Sequence, residues 1–318
     1  MALNVQIYLC INVEWIPVLT IPTTELSRLA TKPLKWLRFV SSMIYGREGF
    51  LYVDLDGVEV SDYDSTSLRG SYYFWAKEPP RFIDVDSKGC SATPTPAYFP
   101  HESSVFRDAI AARDKHCVFS DFRGELCFAL HIIPLHKGDD YFRLVVDQRL
   151  ETDSDSEGLK NKMTGWSITS HSLEDVISGN VNHEALPTEG VECIRNGLLL
   201  NPNLHKLIEV SYAALLRTPN FALSSDDIPR LPDSPSSETD GCRLTLQILE
   251  PGVDLRCTLS QHNADARTPE TLDDWPPASV VNVAYCSAVL RKWGSPVFVE
   301  HVNVLERERC CDVSEVGF

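Results

Sequence analysis

The sequence predicts an α+β fold built from a β-rich N-terminal unit, a central strand–strand–helix core, and a mixed C-terminal segment of strands plus one helix. Three observations carry that expectation. Apolar residues alternate with period two at the start of the chain, two strand-like runs precede a helix-like one in the middle, and breaker-rich stretches separate the blocks. The 318 residues are 43% hydrophobic and 23% charged, an ordinary globular composition that excludes collagen-like, low-complexity and disulfide-scaffold classes.

Val5, Ile7, Leu9, Ile11, Val13 and Trp15 alternate as one strand. Residues 31–45 carry Leu34, Leu37, Val40 and Ile44 at helical spacing, with Pro33 in the first turn and Gly46 just past the end. Runs at 50–55 and 58–60 flank Asp56-Gly57, a hairpin signal, and 71–75 adds an aromatic β run. Residues 1–85 therefore form the β-rich unit, and 86–100, with three prolines among Ser and Thr, form a linker.

The core spans 101–223. A helix is expected over 103–115, then strands at 117–119 and 126–133 joined as a hairpin through the turn-forming Ser120-Asp121-Phe122-Arg123-Gly124. Gly138 opens a helical stretch over 140–149, and a polar insert lies near 151–192. Asn196 precedes a short apolar run to Leu200, after which Asn201-Pro202 caps and starts a helix that packs across the hairpin. A strand at 212–216 follows. Residues 224–242 read as a second linker, and 243–318 as the C-terminal segment, with a strand at 243–250 and a helix over 280–293 ending at Gly294.

Forty-five acidic against twenty-nine basic residues give a formal charge of −16, which disfavours a general basic coat for nucleic acid. Residues 101–150 are no exception, with seven Lys or Arg and eight Asp or Glu. Arg123, Lys137, Arg143 and Lys206 are the cations that the fold could gather near the core. The ten cysteines show no CxxC and no regular spacing, so they read as reduced, mostly buried thiols. Polar residues interrupt the early apolar positions, and no run approaches the roughly 18 residues of a membrane span. The expectation is an intracellular protein, in cytoplasm or nucleus, without signal peptide, transmembrane segment or membrane partner.

Three residues carry the chemistry: His131 at a strand end in Leu130-His131-Ile132-Ile133-Pro134, Asn196 before Gly197-Leu198-Leu199-Leu200, and His205 in Asn203-Leu204-His205-Lys206-Leu207-Ile208. Their order resembles that of HNH, or ββα-metal, nucleases. The stretch from Arg113-Asp114 through His131 and Asp140-Tyr141-Phe142-Arg143-Leu144 to His205 resembles in particular the HNH-nuclease-domain proteins of basidiomycete fungi. In those, similar N-terminal β segments and a C-terminal segment like 285–294 flank the nuclease-like core.

The resemblance implies metal-dependent hydrolysis of nucleic-acid phosphodiester bonds, DNA ahead of RNA. His131 would be the general base, since a neutral imidazole accepts a proton near pH 7. Asn196 would brace the loop that orients it. His205 would ligate Mg²⁺, Mn²⁺ or Zn²⁺, with Glu209 one turn on as helper. Many HNH enzymes place a metal-ligating Asp or His just before the general base. Leu130 stands there in this chain, so a further ligand would come from Asp139, Asp140 or Glu209. The alternative is a catalytically degenerate module of the same fold, acting in interaction or regulation.

Overall fold

The computed structural model describes residues 3–11, 13–82, 104–120, 122–149, 190–231, 242–250, 252, 261–269 and 272–302. The expected linker at 86–100, nearly all of the insert near 151–192, and most of the linker at 224–242 lie outside those residues, as do 303–318. The fold is α+β, as expected.

The first strand is two. β1 (Asn4–Ile11) and β2 (Glu14–Pro22) pair antiparallel, because the chain reverses where Val13 takes a left-handed φ of 72° and stands 92% exposed. The period-two pattern runs across that turn without registering it. β1 then lies parallel to β4 (Ser71–Trp75), which pairs with β3 (Phe50–Tyr52), giving the order β2-β1-β4-β3. The Asp56-Gly57 turn forms: Val53 N donates to Val58 O at 2.9 Å, and Gly57 takes φ 86°. A short helix, α1 (Thr23–Leu29), precedes α2 (Pro33–Tyr45), which stops at Gly46 with φ 81°.

The core contains α3 (Ser104–Asp114), β5 (Phe128–His131), α4 (Gly138–Arg149), β6 (Gly197–Leu200) and α5 (Pro202–Glu209). The hairpin expected within 117–133 does not form. β5 pairs antiparallel with β6, setting His131 opposite Gly197 and Phe128 opposite Leu200. The 117–119 run lies on the other edge of β6, where Val118 N donates to Leu199 O at 3.0 Å. Two features explain the exchange. A 3₁₀ turn at Gly124–Leu126 breaks the run that was read as one strand, and the all-buried Gly197–Leu200 needs hydrogen-bond partners on both edges. α5 packs across the β5–β6 pair that stands in place of the expected hairpin. Its N-cap is Asn201, whose side-chain oxygen accepts from Leu204 N at 3.0 Å.

β7 (Ala213–Thr218), β8 (Arg243–Ile248) and β9 (Ala264–Asp265) form the C-terminal sheet, covered by α6 (Ala278–Trp293). α6 also touches α2 and β2. There Trp36 Nε1 donates to Tyr285 OH at 2.8 Å, and that hydroxyl donates to Gln247. Gln247 in turn donates to the Leu29 carbonyl at 2.7 Å, so a buried chain of hydrogen bonds ties the two ends of the molecule together. No helix among the described residues is long and apolar enough to cross a membrane.

Candidate functional site

Asn196 is fully buried and clamps the chain that follows β5. Its Oδ1 accepts from Ile133 N at 2.8 Å, and its Nδ2 donates to Ile133 O at 2.8 Å and Val191 O at 2.7 Å. Its own carbonyl accepts from Ile132 N at 2.9 Å. An amide is the side chain that offers acceptor and donor side by side, so it can satisfy both main-chain groups of one residue at once. The backbone on the C-terminal side of His131 is thereby fixed through Ile132 and Ile133.

The His131 ring stacks on Phe106 of α3, with centroids 3.8 Å apart and planes 11° from parallel. Its Nε2 is enclosed and has no hydrogen-bond partner. Burial, with the neighbouring His205 adding to it, holds the imidazole pKa down at about 4, so the ring is neutral at pH 7. Gly197 makes the stack possible: a Cβ there would lie 2.5 Å from Ile110 Cδ1 and 2.6 Å from Phe106 Cζ.

His205, on α5, lies over Phe128 at 6.0 Å between rings, close to the main chain of Ala129. Burial lowers its pKa too, and Glu209 opposes that shift. A neutral imidazole keeps one ring nitrogen as a lone pair, which is what a metal ligand requires. Glu209 is on the exposed side of α5, with its carboxylate 2.9 Å from Lys206 Nζ.

The structure sets His205 near enough to His131 for its charge to be felt there, while Asn196 fixes the chain just after His131. It leaves the other carboxylates apart. Asp139 accepts from Val191 N at 2.8 Å, and Asp140 is exposed beside Arg143. Leu130 is buried in the core. Of the four cations named from sequence, Lys137 lies over Tyr141, and Arg143 and Lys206 pair with carboxylates on their own helices. Arg123 is exposed on the turn that faces His116. No group of three or more His, Cys, Asp or Glu able to hold a metal occurs among the described residues. Cys117 and Cys127 are buried free thiols, and burial pushes Cys127 up to about 11, so it is protonated at neutral pH.

Sequence reasoning missed two supports. Phe106 falls within the helix expected over 103–115 and carries no sequence signal of its own. Arg113 and Asp114 form a buried ion pair at 2.6 Å that fastens the end of α3 to β6. Asp114 accepts from Leu199 N at 2.8 Å, and Arg113 donates to Gly197 O at 2.7 Å and Ile194 O at 3.0 Å while lying over Trp275. The two are adjacent in sequence, and nothing local reveals that their targets are some eighty residues away.

Compared with known families, residues 117–214 match the family model of the HNH endonuclease domain. No curated protein and no solved structure matches the chain. The matched segment begins at Cys117 and ends within β7, so it encloses β5, β6, α5 and the three residues of the site.

Proposed function

We propose that the HNH domain of this protein is an endonuclease that hydrolyses phosphodiester bonds of nucleic acid, DNA ahead of RNA. The observation that carries this reading is the Asn196 clamp, which holds the strand end bearing a neutral His131 beside His205. In this role His131 accepts the proton of the attacking water, and Asn196 is a positioning residue that acts through Ile133.

The donor set fits a divalent cation held loosely. His205 offers one imidazole lone pair, Glu209 stands one turn away, and Leu130 offers nothing. His205 and Glu209 would hold the ion, and water and substrate phosphate would complete its shell. When bound, the ion supplies charge neutralisation on the phosphate and the departing oxygen. Phe106 keeps water from one face of the His131 ring.

A noncatalytic interaction module is the second reading, and the buried Leu130 at the usual ligand position favours it. Incubating the full chain with supercoiled plasmid, single-stranded DNA and RNA in millimolar Mg²⁺ or Mn²⁺ separates the two. Metal-dependent nicking of the plasmid is expected. Failure to cleave any of the three with either metal would leave the module reading.

A further inference from the structure

We propose that Arg113 is a positioning residue of the nuclease site: by holding the main chain on both sides of Asn196, it sets the amide that fixes the backbone after His131. The proposal rests on the nuclease reading of that site. A guanidinium carries five N–H donors in one plane, and every one of them is used here. Nε and Nη2 donate to the Asp114 carboxylate at 2.6 and 2.9 Å, and Nη2 donates also to Gly197 O at 2.7 Å. Nη1 donates to Ile194 O at 3.0 Å and to Asp274 O at 2.7 Å. Ile194 and Gly197 bracket Asn196. The Arg113 side chain is 8% exposed and that of Asp114 1%, so these bonds form away from water, which cannot replace a lost partner.

The hold falls on the edge of β6 that β5 leaves open. Asn196 O faces β5, where it accepts from Ile132 N, whereas Gly197 O and Leu199 N face the other way and meet Arg113 and Asp114. α3 reaches the site along one face. Phe106 and Arg113 are seven residues apart, two helical turns, so the first meets the His131 ring while the second meets the turn that bears Asn196. A lysine would keep a charge opposite Asp114, but its donors radiate from a single nitrogen and cannot span the carbonyls of 194, 197 and 274 at once. Trp275 lies against the guanidinium at 5.1 Å, so a segment well past the matched 117–214 completes the support. Displacing an orienting group by about 1 Å can cost about 10²-fold in rate, which is the scale on which such a hold matters.

The test compares the full chain as wild type, as Arg113→Lys and as a control, Tyr285→Phe, whose hydroxyl partners Trp36 and Gln247 lie on α2 and β8. Two quantities are read: hydrogen exchange of the Asn196 side-chain amide by NMR, and plasmid nicking in millimolar Mn²⁺ resolved into kcat and KM. In wild type the amide is protected, because it donates to the carbonyls of Ile133 and Val191. Arg113→Lys should exchange it roughly tenfold faster and lower kcat roughly 10- to 100-fold, with KM changed by less than about threefold. Tyr285→Phe should lower the melting temperature and move neither quantity. Either quantity unchanged in Arg113→Lys, or the same losses in Tyr285→Phe, would overturn the proposal. Should Arg113→Lys not fold, Trp275→Leu removes only the ring against the guanidinium and should move both quantities in the same direction by less; if it moves neither, Arg113 does not set Asn196. Wild type that nicks nothing ends the nuclease reading, and amide exchange then still decides whether Arg113 holds Asn196 in place.

Discussion

The imidazole of His131 lies flat on the ring of Phe106, 3.8 Å between centroids, so the proposed base is set by a residue of a helix that the family match does not include. Because Gly197 lets both rings approach, three separate segments of sequence meet at one side chain.

Removing that support has a defined cost. Phe106 is fully buried, and Phe106→Ala should destabilise the protein by about 3–5 kcal/mol in denaturant unfolding. With one face opened to water, the His131 pKa should rise from about 4 toward its ordinary 6.5, followed by NMR titration of the imidazole. An unchanged titration would show that Phe106 is not what keeps the ring dry.

Asn196→Ala should strand Ile133 N, Ile133 O and Val191 O in the interior, at a cost on the order of 2–4 kcal/mol. Asn196→Asp keeps the shape but turns an oxygen toward two carbonyls, so it should be no more stable than the alanine variant. If cleavage is present, both should lower kcat more than they raise KM, because Asn196 positions His131 rather than substrate. A variant as stable and active as wild type would remove the clamp from the account.

Binding of Mn²⁺ without nucleic acid should be weak, in the millimolar range expected of so few protein donors, and calorimetry should show it lost in His205→Ala. Glu209→Gln should weaken it less. Equal binding by wild type and His205→Ala would take His205 off the ligand list.

A separate histidine contributes to the acid stability. His262 Nδ1 accepts from Ile248 N at 3.0 Å, and its Nε2 pairs with Arg28 O at 3.1 Å, a pattern that only the neutral ring can make. Burial and the Arg28 charge hold its pKa at about 4. Since that lies below the unfolded value near 6.5, the unfolded chain takes up the proton first, and stability is full above pH 6.5 and falls from there to about pH 4. His262→Asn should flatten that fall, measured by urea unfolding at several pH values. An equally steep fall in the variant would assign the loss to other groups, His131 among them.

Much of this was legible in the sequence where the signal is local. The Asn201-Pro202 helix start, the Asp56-Gly57 turn and the glycine stops at Gly46 and Gly294 depend on neighbours in the chain, and the structure has each of them. What failed depended on partners far away. The four residues at 128–131 pair with those at 197–200 across a long intervening stretch, and short apolar runs do not name their partner. The β1–β2 turn was hidden by Val13, a β-branched residue in a left-handed conformation that its type rarely adopts. His131, Asn196 and His205 were found through the order of their types along the chain. Phe106, Arg113 and Asp114 carry no such order and emerge only from packing.

The most direct test of the account is the rate of plasmid nicking by His131→Ala against wild type in millimolar Mg²⁺ or Mn²⁺ at moderate salt. Far-UV circular dichroism, melting temperature and oligonucleotide affinity are checked in parallel. A general base predicts a fall of roughly 10²–10⁴-fold in rate with fold and binding retained. A variant that nicks as fast as wild type would contradict the assignment of His131.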